Sequence, residues 1–341
     1  SKTTDPADST ADTTTNTTEP ADTAEPAEST DAAEDTADSG KVFKIGLCNY
    51  VDDASLNQIV ENIQTQLAAI GEQNGVTFEV EYDNCNADAN VLAQIISNFK
   101  ADGVDLMIGV ATPVAISMQA ETEGTDIPVV FSAVSDPISC GLVASLDAPG
   151  ANITGTSDAL NTQSIMDMMF AVQPDIQTVG LLYSNSEANS ATPIAEAKAY
   201  LDAKGISYVE KTGNTNDEIM TAASSLVGQV DAVFTPTDNV VMAAAAAVSE
   251  TLTKGGIPFY TGADSFVTAG AFATCGVNYT ELGTYTADMA LEILETGTVP
   301  AYHVMDGGII TVNTETAAAL GIDYSAFNKL AGKVVEVTTA E

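Results

Sequence analysis

Several short segments of this sequence gather hydroxyls, amides and carboxylates where a β-strand would hand over to a helix. They are Asn49-Tyr50-Val51-Asp52, Ala111-Thr112-Pro113, Ser132-Ala133-Val134-Ser135-Asp136-Pro137, Ser184 to Ser190, Thr235-Pro236-Thr237-Asp238-Asn239 and Gly262-Ala263-Asp264-Ser265. None carries a cationic side chain. Such loops can hold an anion only through backbone N–H groups and hydroxyls, and can hold a cation through carboxylates. Thr112 as N-cap ahead of Pro113 leaves helix N–H groups open to a ligand carboxylate, with the Ser132 hydroxyl nearby. Asp238 opens the helix through the Ala-rich run, as an ordinary cap or as counter-charge to a ligand ammonium. Asp158, in Gly155-Thr156-Ser157-Asp158, falls where one structural unit gives way to the next. Glu187 and Asn189 occupy a strand-end loop, as functional or as solvated residues. The Tyr50 ring either stacks on a ligand or packs. Ser157, Thr237, Asn239 and Asp264 complete the candidate set through the loops they share.

The composition excludes other chemistry. The chain has 341 residues, 48 Asp plus Glu against 10 cations, and a formal net charge of −38. All ten cations are Lys, and there is no Trp and a single His, His303. An acidic chain without Arg has no footprint for nucleic acid, and binding to anionic lipid through a basic face is disfavoured. One His leaves no material for a Ser-His-Asp relay or a multi-His metal site. No metal, cofactor or P-loop is expected, and no GxSxG stands in the sequence. Paired carboxylates, Asp136 with Asp158 or Asp238 with Asp264, are the one enzymatic alternative, with nothing to fix their separation. Cys48, Cys85, Cys140 and Cys275 show no CxxC spacing. A Cys48–Cys85 bridge at the ends of neighbouring strands is conceivable, and free thiols are the expectation. Met166, Met168 and Met169 read as core.

The elements that must position these loops alternate. Phe43 to Cys48, Val76 to Tyr82, Val104 to Val110 and Ile127 to Ser132 read as strands. Leu56 to Ile70 and Val91 to Phe99 read as helices, the first with Ile59, Ile63, Leu67 and Ile70 on one face. This is the signature of βαβ units and parallel sheets. The pattern then repeats: Gly75-Val-Thr-Phe, Val104-Asp-Leu-Met and Ile127-Pro-Val-Val return as Gly205-Ile-Ser-Tyr, Val230-Asp-Ala-Val and Ile257-Pro-Phe-Tyr. Thr178 to Ser184 then matches the first strand and Ala191 to Ala203 the first helix. Two doubly wound copies would face each other across a cleft, with ligands at the carboxyl ends of their strands. Residues 1–40, rich in Thr, Ala, Asp, Glu, Ser and Pro and lacking any Leu, Ile, Val, Met or aromatic residue, read as a disordered tether. No run approaches the ~18 to 20 apolar residues of a membrane span.

Ala111-Thr-Pro, Val129 to Pro137, Asn152 to Asp158, Ser186 to Ser190 and Pro236 to Asn239 together resemble the tryptophan/tyrosine-type substrate-binding proteins of ABC importers, over roughly Phe43 to Ile322. The resemblance implies a type I periplasmic-binding-protein fold, with two α/β lobes joined by three crossovers near Thr154 to Asp158, Gly276 to Tyr279 and Met305 to Gly308. The implied lobes are 41–155 with 280–306, and 156–279 with 307–341. It further implies an aromatic or other hydrophobic amino acid as ligand, its carboxylate near Thr112 and Ser132 and its ammonium near Asp238. A sugar or nucleoside in the same fold is the alternative. An effector-binding domain of a transcription factor would need a basic helix-turn-helix where the acidic segment stands. The implied setting is a monomer outside the membrane, periplasmic or anchored through a lipidated Cys just before Ser1, handing its ligand to an ABC permease.

Overall fold

The computed structural model describes residues 40–341. The segment expected to be a tether lies, apart from Gly40, outside the described residues. The first series of elements is β1 (Lys41–Asn49), α1 (Ala54–Asn74), β2 (Val76–Asn84), α2 (Ala89–Ala101), β3 (Leu106–Val110), α3 (Thr112–Thr122), β4 (Val129–Ser132) and β5 (Ile153–Ser157). After α4 (Thr162–Val172) come β6 (Thr178–Tyr183), α5 (Ala188–Lys204), β7 (Ser207–Thr212), α6 (Asn216–Leu226), β8 (Ala232–Thr235), α7 (Asn239–Ala243), α8 (Ala245–Lys254), β9 (Phe259–Thr261), α9 (Asp264–Thr268) and β10 (Ala273–Gly276). The chain finishes with α10 (Tyr279–Thr296), β11 (His303–Val304), β12 (Ile309–Asn313), α11 (Thr314–Leu320) and β13 (Lys333–Val337).

These strands form two sheets, ordered β11-β5-β4-β3-β1-β2 and β13-β12-β10-β9-β8-β6-β7. All pairs are parallel except β10 with β12. The inner orders β2-β1-β3-β4 and β7-β6-β8-β9 are the internal repeat expressed as geometry. Even the punctuation recurs: α1 and α5 both end on a left-handed glycine, Gly75 at φ 65° and Gly205 at φ 69°, a conformation that favours a residue without a Cβ. Strands β3, β4, β5, β8 and β9 are buried at every position, as expected where helices cover both faces of a parallel sheet.

The chain passes between the sheets after Ser157, between Gly276 and Tyr279, and between Val304 and Ile309. The second passage is anchored by α10, which packs along α1. A small residue is required there, because a Cβ on Gly283 would lie 2.7 Å from the Ile59 carbonyl oxygen.

Two sequence-based expectations change. The single helix through the Ala-rich run is interrupted at Ala244 (φ −106°, ψ 7°). Its first piece, α7, packs on α6 and β6, and its second, α8, on α6 and β9. At α3 the cap is Ala111, and Thr112 is the first helical residue. The reason is that the Ala111 N–H is tied to the Ser132 carbonyl at 2.9 Å, which holds residue 111 at the sheet edge as the cap, so the helix starts at Thr112, one residue earlier than expected.

Gly283→Ala should force α10 off α1 and lower the unfolding free energy by about 1–3 kcal/mol. A urea titration with an unchanged midpoint would show that the helix pair has room to spare.

Candidate ligand-binding cleft

Sheet order lays the candidate groups out in a row. Along the carboxyl edge of the first sheet stand Asp158 after β5, Ser135 after β4, Thr112 after β3, and Asp53 with Ser55 after β1. Facing them are Tyr279 after β10, Ala263 to Phe266 after β9, Thr237 to Asn239 after β8, and Asn189 after β6. The two rows are closed on each other by cross-lobe hydrogen bonds. The Ser55 hydroxyl donates to Asp264 Oδ1 at 2.6 Å, Ser135 and Thr237 share a hydroxyl bond of 2.9 Å, and Thr192 donates to Asp136 Oδ2 at 2.7 Å. Between them lies a cavity of about 40 Å³, well below the ~300 Å³ or more of a formed small-ligand site, so a ligand enters only when the lobes move apart.

Its floor carries strained backbone. Ala111 at φ 81° and Ala133 at φ 56° both line the cavity, and left-handed alanines are uncommon enough to signal a functional constraint. An alanine cap supplies no side chain, so the first-turn N–H groups of α3 have no side-chain acceptor. Helix α5 also lacks a side-chain cap, but its cap residue is Glu187, which would repel an anion. Helix α3 has no acidic residue in its first turn and is the end suited to a carboxylate.

The remaining polar groups favour a cation. Asp53, Asp158 and Asp238 all line the cavity, and among the described residues no Lys does. Burial pushes Asp158 up to about 6, against the lowering effect of the Ser135 hydroxyl. Burial likewise raises Asp53, with the Asp264 carboxylate adding to it and the Leu56 N–H opposing it. Asp238 is fully engaged: Oδ1 accepts the N–H groups of Val240 and Val241 at 3.0 Å each, and Oδ2 accepts the Ser184 N–H at 2.8 Å and the Ser190 hydroxyl at 2.7 Å. Asp158 accepts only the Ser135 hydroxyl, on Oδ1 at 3.1 Å. The free carboxylate oxygen at this end of the cavity therefore belongs to Asp158.

Of the residues singled out in the sequence, Thr112, Asp158, Asn189, Thr237, Asp238 and Asn239 line the cavity. The other five stand behind it. Ser132 binds the Thr286 hydroxyl at 2.8 Å, and Ser157 donates to the Ser135 carbonyl at 3.2 Å. Glu187 accepts the Asn239 side-chain amide at 2.7 Å; burial, reinforced by Asp238, raises its pKa to about 7. Asp264 receives Ser55. Tyr50 is half-buried against the core, its hydroxyl raised to about 12 by burial and then by Glu187. Sequence reasoning missed Asp53, Ser55, Met242, Phe266 and Tyr279. Asp53 had a readable signal, since it stands three residues before Leu56 and its carboxylate caps α1 through the Leu56 N–H at 2.9 Å. All four cysteines carry free thiols.

Two facing parallel-sheet lobes with a polar cleft between their strand ends define a binding protein of the periplasmic type, and the comparisons agree. The family model for ABC transporter substrate binding proteins matches residues 44–335, and the chain belongs to that family. It is 33% identical over 287 residues to a tyrosine-binding protein of Clostridioides difficile, covering 83% of this chain and 82% of that one. An ABC domain from Streptococcus pneumoniae in complex with L-Trp superposes with a TM-score of 0.80 at 32% identity, over 86% of this chain and all of that one. A ligand-free, open substrate-binding protein with adhesive properties from Clostridium difficile, also 32% identical and covering 87% of this chain and all of that one, gives 0.67. Proteins of this family are extracytoplasmic, and no described helix is long and apolar enough to cross a membrane.

Asp238→Asn would place an amide N–H₂ against donors and should cost about 2 kcal/mol or more in urea unfolding. An unaltered midpoint would show that the four donors find other partners.

Proposed function

We propose that this chain captures an aromatic amino acid by closing its lobes around it. The observation that carries the reading is the row itself: a carboxylate with a free oxygen (Asp158), the uncapped start of α3 at Thr112, then apolar walls from Leu56, Met242, Ala263 and Phe266. Ammonium, carboxylate and ring of one amino acid fit that sequence of environments. The tyrosine-binding and L-Trp-bound relatives support it. Asp158 takes the place that local sequence evidence offered to Asp238, whose oxygens are already engaged. Capture rather than acid/base catalysis fits the carboxylates, since Asp136, Asp238 and Asp264 are each held by protein donors.

In this reading the chain acts as a monomer and delivers its ligand to an ABC permease. The acidic segment 1–40 serves as a spacer from a lipid anchor. Closure stabilises the complex because the ligand touches both rims. An affinity near micromolar, about −8 kcal/mol, is ordinary for such a site.

A thermal-shift panel of the twenty amino acids with common sugars and nucleosides tests the ligand class, since only a binder of the folded state raises the midpoint. A shift with a sugar and with no aromatic amino acid would end the reading and leave the fold untouched.

The Asp158 role has a pH signature. Its folded pKa lies above the unfolded value, so the folded, ligand-free protein holds the extra proton, and the cost of ionising the buried group grows as pH rises from about 4 to about 6. A ligand ammonium needs the ionised form. Calorimetry should therefore show about tenfold weaker binding at pH 5 than at pH 7.5. Asp158→Asn should bind weakly at both, and a flat profile in the parent protein would remove Asp158 from the site.

A further inference from the structure

Among the described residues, buried side-chain oxygens without a hydrogen-bond partner are few, and two of them belong to residues that line the cleft: Asp53 Oδ2 and Asn189 Oδ1. Asp53 is 7% exposed and Asn189 4%. Both atoms are pure acceptors, and neither receives a hydrogen bond within normal geometry.

The two atoms stand at different ends of the cleft. Asn189 donates its Nδ2 to the Thr237 carbonyl, the Thr237 hydroxyl pairs with Ser135, and Ser135 donates to Asp158. Asn189 and Asp158 are thus joined through one hydrogen-bonded chain, and a single ammonium with three N–H groups can serve both. Asp53 belongs to the other end, two residues from Ser55 and its bond to Asp264. In the first sheet β5 and β1 are three strand spacings apart, about 14 Å at ~4.8 Å each. The strands that carry them therefore set Asp158 and Asp53 towards opposite ends of the row, with Tyr279 feeling both carboxylates. The Ser265 hydroxyl is close enough to lower the Asp53 pKa by hydrogen bonding and lies 3.4 Å from Met242 Sδ, so its rotor can serve either acceptor and yields to a stronger donor on Asp53.

Resting on the aromatic amino-acid reading above, we infer that Asp53 is a specificity residue: its free carboxylate oxygen receives an N–H or O–H donor borne on the far edge of the ligand ring. The apolar wall of Leu56, Met242 and Phe266 between the two ends takes the ring face. An aromatic side chain without a ring donor leaves the buried Asp53 Oδ2 with no donor beyond the Ser265 hydroxyl, and that penalty is what discriminates. The cleft therefore selects a phenol or an indole over a plain phenyl ring.

The test is isothermal calorimetry on the full chain with L-tyrosine, L-tryptophan, L-phenylalanine and 4-fluoro-L-phenylalanine. The better of tyrosine and tryptophan should bind at least about tenfold tighter than both ring-donor-free analogues. Asp53→Asn, whose amide oxygen can keep the cap on α1 while presenting N–H₂ in place of Oδ2, should erase the advantage of tryptophan, whose indole N–H can only donate, over both analogues. Phenylalanine binding as tightly as tyrosine and tryptophan in the parent protein would overturn the inference while aromatic capture stands. An Asp53→Asn protein that keeps the full advantage of tryptophan would overturn it as well. No binding of any of the four would overturn the aromatic reading on which it rests. The parent-protein panel decides the matter even if the variant does not fold.

Discussion

Hydroxyl groups donating across the cleft tie the two lobes together, and the rest of the site depends on how they are distributed. Ser55 to Asp264 and Thr192 to Asp136 are neutral-to-charged bonds of 2.6 and 2.7 Å, the stronger kind. Because the lining residues include no Lys, and the chain has no Arg at all, every carboxylate in the cleft must be satisfied by O–H, backbone N–H or a ligand. Three acids lining one cavity are tolerable only if hydrogen bonds or raised pKa values offset their burial, and both occur here. Asp238 is saturated with donors, whereas Asp158 and Asp53 are left partly open. The division of labour among acids of the same type is thus set by donor supply.

The same constraint explains why the anionic end of a ligand must be met by backbone. Most helices of the fold that begin with Asp, Asn or Thr at the cap use that side chain on their own first turn, as at Asp88, Thr215 and Asn278. Helix α3 begins with an alanine held in a left-handed conformation by its bond to Ser132. Its amides are left available at the centre of the row. Strain at one residue and a missing cap at the same place are two costs accepted at a single point, a pattern seen where a site is preorganised for binding.

Much of the architecture was legible in the sequence because its signals are periodic and local. Ile59, Ile63, Leu67 and Ile70 trace one face of α1, and the repeated Gly75 and Gly205 motifs fall at equivalent helix ends. The site was legible only in part, for a physical reason. Residues on strand-end loops could be located from the alternation of elements, which is how Thr112, Asp158, Asn189 and Asp238 came into view. Which carboxylate is free and which is already engaged depends on partners 48 or 54 positions away, such as Ser190 and Ser184 for Asp238. Tyr279 and Phe266 enter the cleft only because the second lobe folds back over the first, and no local pattern marks that. The shift of the α3 cap from Thr112 to Ala111 came likewise from a tertiary bond that the preference of Thr for N-caps does not anticipate.

The docking of α10 on α1 has a mechanical consequence. Strand β10 is built into the second sheet, whereas α10 is clamped to the first lobe at Gly283, so the rotation of one body against the other at this crossing is confined to the Val277–Asn278 link. The Asn278 side chain pins the start of α10 through the N–H groups of Thr280 and Glu281, which leaves little backbone to absorb the twist. Tyr279, the next residue, is both part of the cavity wall and the first residue beyond that link. Axle and wall are therefore one piece, and a ligand resting on Tyr279 bears directly on the part that turns.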